Sequence, residues 1–205
     1  MKEINIVLAG VGGQGTLLAA EILGIAAVKT GLNVRVSEIH GMAQRGGAVS
    51  SDVRIGETVW SSTVMEGQAD VLLGFEPLET LRNLRYASEK TLVIMSTETI
   101  PPTELAAKNK TYPSLNEIMK KICLISESVL VVETRKLAEK AGGSLMQNTV
   151  LLGALAASER LPIGKETLID TIKELVPAKF LEGNIEAFKL GYEYVKTSQA
   201  DSSRI

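Results

Sequence analysis

The stretch Ile4-Asn5-Ile6-Val7-Leu8-Ala9-Gly10-Val11-Gly12-Gly13-Gln14-Gly15-Thr16 decides the reading of this chain. Its first half is a short apolar run rich in β-branched residues and bounded by glycine, the pattern of a strand buried on both faces. Its second half satisfies G-x-G-x-x-G directly before a segment, Thr16–Lys29, rich in alanine and leucine. Strand, glycine turn and helix in that order make an anion site plausible on physical grounds. Gly10 permits the tight turn, Gly12 lets backbone N–H groups come close to an anion, and Gly15 lets helix and strand pack. The helix start then offers unpaired donors and a partial positive charge. Gly31 stops the helix, and Asn33–Ser37 is expected to be the next strand, completing a βαβ unit.

Working outward, the chain has 205 residues, with 22 basic and 24 acidic side chains, one cysteine, one histidine and 18 glycines. That length suits one domain, and an apolar fraction of 45% with mean hydropathy of +0.14 is enough to bury a full core. A net charge of −2 leaves no surplus to neutralise a phosphate backbone, so nucleic-acid binding is not expected. No run of about 18 apolar residues occurs, and MKEINIVLAG lacks the region order of a signal peptide, so a cytoplasmic chain without a membrane span is expected. Cys123 alone can form no internal disulfide. One cysteine and one histidine also fall short of the roughly four ligands of a thiolate-bound cluster or a thiolate/imidazole zinc.

Further strands are expected at Asp70–Phe75, Thr91–Met95 and Ser128–Val132, with a short helix near Pro77–Leu84. The alternation from Val49 to Ile55, followed by Gly56-Glu57 and Thr58-Val59-Trp60, predicts a hairpin with a Gly-x turn. Ser114-Leu115-Asn116-Glu117 is a capping box for a helix using Ile118, Met119 and Ile122, and Ser96–Tyr112 reads as loop. Helices over 133–141, 144–158, 165–176 and 178–196 finish the chain, leaving Ser198–Ile205 as a polar, frayed end. The fold class is therefore α/β. We expect a single three-layer Rossmann-like domain over 1–196 with a mostly parallel sheet, an added β-hairpin and a helical C-terminal part, then a polar tail over 197–205.

A second loop, Ser37-Glu38-Ile39-His40-Gly41-Met42-Ala43-Gln44-Arg45-Gly46-Gly47, leaves the end of the second strand, the edge where open α/β sheets bind ligands. Arg45 beside Gly46 and Gly47 suits bidentate contact with a phosphate or carboxylate, or a tie to Glu38. The amide of Gln14 is a second candidate for ligand contact. Glu38 stands about where a dinucleotide fold holds its ribose-binding acid, so a nicotinamide or flavin nucleotide is one reading of the glycine loop. The other is a packing or subunit contact. Ser37, Glu38 and His40 do not form a nucleophilic triad, because no G-x-S-x-G elbow is present. The apolar stripe Leu181, Ile185, Phe188, Tyr192 and Val195 reads as core rather than as an interaction module.

Together, G-V-G-G-Q-G over 10–15 and H-G-M-A-Q-R-G-G over 40–47 resemble the gamma subunit or domain of the 2-oxoacid:ferredoxin oxidoreductases, most closely the small subunit of the indolepyruvate type. The resemblance covers about residues 1–195 and includes Gln147–Leu155. It implies a subunit of a thiamine-diphosphate-dependent enzyme that oxidatively decarboxylates a 2-oxoacid, passes electrons to ferredoxin and forms an acyl-CoA. It further implies that thiamine diphosphate, Mg²⁺ and the 4Fe–4S clusters sit on a larger partner, with coenzyme A as co-substrate. The residues carried over to such a site are Gly10, Gly12, Gly13, Gln14, Gly15, Thr16, Ser37, Glu38, Met42, Gln44, Arg45, Gly46 and Gly47, with Asn148 a further candidate. The resemblance assigns no catalytic acid or base and no metal ligand.

Overall fold

The computed structural model describes residues 3–41, 46–102 and 111–202. Six strands form one mixed sheet in the order β2-β3-β1-β4-β5-β6. They are β1 (Ile4–Val11), β2 (Asn33–His40), β3 (Ala48–Gly56), β4 (Val71–Gly74), β5 (Leu92–Ser96) and β6 (Ser128–Val132). Strands β1, β4, β5 and β6 run parallel, while β3 is antiparallel to both β1 and β2. The helices are α1 (Thr16–Lys29), α2 (Pro77–Arg82), α3 (Leu115–Ile122), α4 (Thr134–Lys140), α5 (Gln147–Ala157), α6 (Lys165–Leu175) and α7 (Ala178–Ser202). Helices α1 and α4 to α7 cover one face of the sheet, and α2, α3 and the segment around Val64 and Ala69 cover the other. This is the three-layer α/β domain expected.

Two strand placements differ from the expectation. Strand β2 is not the neighbour of β1, because β3 is inserted between them; the simple βαβ unit is therefore a crossover with a guest strand in the middle. The hairpin lies one strand earlier than expected. It pairs β2 with β3 around the 41–47 loop, with His40 opposite Val49. Thr58-Val59-Trp60 carries no strand. Instead the chain after Gly56 folds across the sheet face, burying Val59 and Val64. Arg54 holds it there, donating through Nη1 to the carbonyls of Ser61 and Thr63, both at 3.0 Å, and pairing with Glu3 and Asn5 at its other nitrogens. Turn propensity at Gly56-Glu57 was satisfied by a reversal onto the sheet face rather than by a ladder.

The helical signals were read closely. Ser114 and Glu117 form the reciprocal capping box, with Glu117 N–H to Ser114 Oγ at 3.3 Å and Ser114 N–H to Glu117 Oε2 at 2.8 Å. The last helix runs to Ser202, so most of the expected polar tail continues α7, and 203–205 lie outside the described residues. Within the expected loop Ser96–Tyr112, residues 103–110 lie outside them too. Helices α5 and α7 pack at backbone contact. A Cβ on Gly153 would lie 2.0 Å from the Phe188 carbonyl oxygen, and one on Gly191 would lie 2.0 Å from that of Val150. The small residues of Gln147–Leu155 thus let two helices approach so closely that side chains are excluded.

Candidate functional site

The sheet order changes direction beside β1: the chain leaves β1 by α1 on one face and leaves β4 by α2 on the other. Crevices at such a point, at the carboxyl ends of the strands, are where open α/β sheets take ligands. The glycine loop occupies this crevice as a ridge with a hollow on each side. The larger hollow, about 900 Å³, lies between Gly12, Gly13, Gly15 and Thr16 on one wall and His40, Gly41 and Val49 on the other. The smaller, about 280 Å³, is shared by Gly12, Gly13 and Gln14 with Phe75, Glu98, Thr134 and Gln147.

The loop is held by its own residues. Gln14 accepts the Val11 N–H at 2.8 Å through Oε1 and donates to the Phe75 carbonyl at 2.9 Å through Nε2. Its amide thereby clamps the loop to the end of β4, a structural task the sequence reading had not given it. Gly10 lies beneath, where a Cβ would meet Phe75 Cβ at 2.8 Å and Thr16 Oγ1 at 2.9 Å. Gly15 has φ +76°, the left-handed region, and a Cβ there would lie 2.6 Å from Asn148 Nδ2. Asn148, at the start of α5, is thus the floor of the loop.

What the loop offers is a set of donors. Helix α1 starts with no side-chain cap and no acid in its first turn. The first backward bond is from Ala19 N–H to the Gly15 carbonyl, 3.0 Å. In the preceding turn Gly12 and Gln14 N–H are engaged with the Gly47 and Val11 carbonyls, so the donors left at the positive end of the helix dipole are those of the first helical turn, which have no intrahelical acceptor. The Thr16 hydroxyl is buried and has no partner among the described residues, a state shared only with Ser51. A buried orphan hydroxyl beside uncapped N–H groups is the donor arrangement that an anionic oxygen completes.

Among the described residues the second loop meets the first through the backbone bond from Gly12 N–H to the Gly47 carbonyl, 2.9 Å. Gly46 adopts φ +76°, and Gly41 N–H closes onto the Ala48 carbonyl at 2.8 Å. The structure thus brings Gly10, Gly12, Gly13, Gln14, Gly15, Thr16 and Gly47 together. Met42, Gln44 and Arg45 lie outside the described residues. Ser37 is not part of the cluster: it lies on the opposite sheet face, its hydroxyl donating to the Ser62 carbonyl at 3.3 Å. Glu38 is displaced as well. With β3 interposed it stands two strand spacings, about 10 Å, from β1, and its carboxylate lies 3.4 Å from His40 Nε2. The ribose-binding geometry of a dinucleotide site, which needs that acid on the adjacent strand, is therefore missing.

Sequence reading passed over Glu76, which directly follows Phe75 and is fully buried. Its carboxylate accepts the Glu79 N–H at 2.8 Å, the Ile100 N–H at 3.2 Å and the Tyr112 hydroxyl at 2.5 Å. Burial and that carboxylate push the Tyr112 phenol well above its usual range. Burial also raises Glu79, against the pull of its Arg82 partner. An acid immediately after an apolar strand and before Pro77 was the available signal. Cys123 is exposed, and among the described residues no three His, Cys, Asp or Glu side chains gather as a metal site.

A glycine loop of this build, at the crevice of an open α/β sheet, has the donor arrangement of an anion site at a helix N-terminus. A family model described as pyruvate ferredoxin/flavodoxin oxidoreductase matches residues 5–194, and the chain belongs to that family. It is 44% identical over 198 residues to indolepyruvate oxidoreductase subunit IorB of Thermococcus kodakarensis, covering 96% of this chain and 98% of that one. It is 29% identical over 192 residues to the common subunit gamma of the pyruvate/ketoisovalerate oxidoreductases of Pyrococcus abyssi, covering 93% and 96%. Among solved structures, the keto/oxoacid ferredoxin oxidoreductase gamma subunit of Geobacter sulfurreducens shares the fold, with TM-score 0.68, 24% identity and coverage of 95% and 99%. A 2-oxoglutarate:ferredoxin oxidoreductase chain of Magnetococcus marinus aligns at TM-score 0.73 and 20% identity, over 96% of this chain and 32% of that one.

Proposed function

We propose that this chain is the small, cluster-free subunit of an indolepyruvate-type 2-oxoacid:ferredoxin oxidoreductase working in the cytoplasm. The observation that carries the reading is 44% identity to an indolepyruvate oxidoreductase subunit over nearly the whole of both chains. In this reading a larger subunit carries thiamine diphosphate, Mg²⁺ and the 4Fe–4S clusters and passes electrons to ferredoxin. Bound thiamine diphosphate supplies the electron sink for loss of CO₂ from the aryl pyruvate. The side chains of this subunit suit that division of labour, with a single, exposed cysteine to offer a cluster.

This chain's own task is to bind and orient. The Thr16 hydroxyl and the first-turn N–H groups of α1 receive a phosphate oxygen of coenzyme A or of the cofactor, while Gln14 and Asn148 hold the loop in shape. Across the hollow stand His40, Gly41 and Val49, with Gly47 tied to Gly12, and on the resemblance Met42, Gln44, Arg45 and Gly46 are taken as further ligand residues. Donors fixed before binding cost no rearrangement when the anion arrives.

Purification from the source cells tests this directly. The chain is expected to bring along a cysteine-rich partner with bound thiamine diphosphate. That complex is expected to reduce a dye with indolepyruvate and coenzyme A, and the isolated chain is not. Dye reduction by the pure isolated chain would overturn the reading.

A further inference from the structure

The outer side of α1 and the free edge of β2 form a continuous, largely apolar surface that none of the other described residues covers. Of the 14 residues of α1, only Glu21 and Lys29 are charged, so the helix is apolar on nearly every side. A helix of that kind is expected to be buried all round. Yet Leu17 is 38% and Val28 61% exposed, and across from them Val36 on β2 is 39% exposed. Between them runs a groove of about 520 Å³. Beside it, β2 ends the sheet with eight residues that hold no proline, with Arg35 as a basic and Glu38 as an acidic side chain.

Two observations decide what covers it. First, Leu17 lines both this groove and the large hollow of the glycine loop, so an occupant of the groove also walls the hollow. Second, the rim carries unmatched acid: Glu21 and Glu38 line the groove with Lys29, but Lys29 is paired with Glu174 at 2.7 Å, Glu38 meets only His40 at 3.4 Å, and Glu21 has no ionic partner among the described residues. A second copy of this chain fits poorly. In two-fold antiparallel pairing of β2 with itself, directly opposed residues share a sheet face. Arg35 and Glu38 lie on opposite faces, so the two charges can never be set against each other.

We propose that this groove and edge seat an apolar segment of the larger subunit, flanked by a Lys or Arg that meets Glu21 and Glu38. The inference rests on the functional reading above and adds where the two subunits meet. The partner thereby closes the hollow from the β2 side, and the site is complete only in the complex.

The test uses the full chain and the larger subunit that co-purifies with it. Val28→Glu puts a charge into the groove at an exposed position, and circular dichroism and melting check that it folds. Leu124→Glu, at an 81% exposed site outside the groove, is the control. Val28→Glu is expected to weaken the complex at least about tenfold, Leu124→Glu less than about twofold, and Glu21→Lys to weaken it measurably. Amides 33–40 are expected to gain hydrogen-exchange protection in the complex. Wild-type affinity for Val28→Glu, unchanged exchange in β2, or a groove filled by a second copy of this chain would each overturn the inference alone. Failure of the wild-type chain to bind a larger subunit would overturn the functional reading and this inference with it.

Discussion

The two halves of this sheet solve the same burial problem differently. Strands β4 and β5 are buried throughout, sandwiched between α2 and α3 on one face and the α4–α7 group on the other. Strand β2, at the far side of β3, is exposed over most of its length. The parallel half is closed by its own helices, whereas the hairpin half relies on a pinned loop on one face and leaves the groove beside α1 open on the other. The glycine loop stands at the junction. One wall is therefore clamped to the closed half through Gln14 and Phe75, and the opposite wall, His40, Gly41 and Val49, belongs to the open half.

If that contrast is right, the most damaging substitution should lie in the closed half. Gly153→Ala places a methyl group 2.0 Å from the Phe188 carbonyl oxygen, so α5 and α7 must separate. A loss of about 3 kcal/mol or more is expected, read as a lower denaturant midpoint. In the open half, Val36→Ala at 39% exposure should cost less than about 1 kcal/mol. Equal costs would break the comparison.

The junction comes next. Gly15→Ala forces an alanine into φ +76° and drives its methyl group onto Asn148. A cost of about 2 kcal/mol is expected from the two effects together. Asn148→Ala should relieve the second part, so the double variant is expected to lose less than the sum of the singles. Additive losses would mean that Asn148 is not the floor of the loop.

Thr16→Val separates ligand contact from folding. It removes an orphan hydroxyl at constant shape, so stability should hold or rise slightly. Affinity of the assembled complex for coenzyme A is expected to fall about tenfold, the worth of one hydrogen bond to a charged oxygen. Titration calorimetry on the complex reads both enthalpy and affinity. Unchanged affinity for coenzyme A and for thiamine diphosphate alike would remove Thr16 from the site.

Legibility followed the same division. The buried strands, the capping box at Ser114–Glu117 and the helix start at Thr16 were readable because local pattern and final environment agree there. The insertion of β3 was not readable. Asn33–Ser37 carries the pattern of a next strand whether it pairs with β1 or one position further out, and only the long-range ladder with β3 settles which. Glu38 lies on the expected strand, and its distance from β1 was hidden for the same reason. The glycines of the site were legible from spacing, but the clamp by Gln14 and the hydrogen bond that Glu76 accepts from Tyr112 were not. Both use ordinary side chains whose partners, Phe75 and Tyr112, lie 61 and 36 residues away.

The smallest expected effect concerns charge. Each half buries a carboxyl raised by desolvation: Asp52 on β3 of the hairpin half and Glu79 on α2 of the parallel half. Asp52 accepts the Val64 N–H at 2.9 Å and feels Arg54 and Arg85, yet burial outweighs them. A folded carboxyl that holds its proton more tightly than the unfolded one favours folding in acid. Its contribution falls as pH rises from the ordinary value of 3.8 through the raised one. Asp52→Asn cannot ionise and keeps an acceptor for Val64, so its stability should depend less on pH between about 4 and 7 than the wild type's. At neutral pH it should match or exceed the wild type by less than about 1 kcal/mol. Glu79→Gln differs, because it also gives up the charge that faces Arg82. It should flatten the same slope, with a smaller gain at neutral pH than Asp52→Asn. Identical behaviour of the two variants would show that the closed and open halves bury their carboxyls alike.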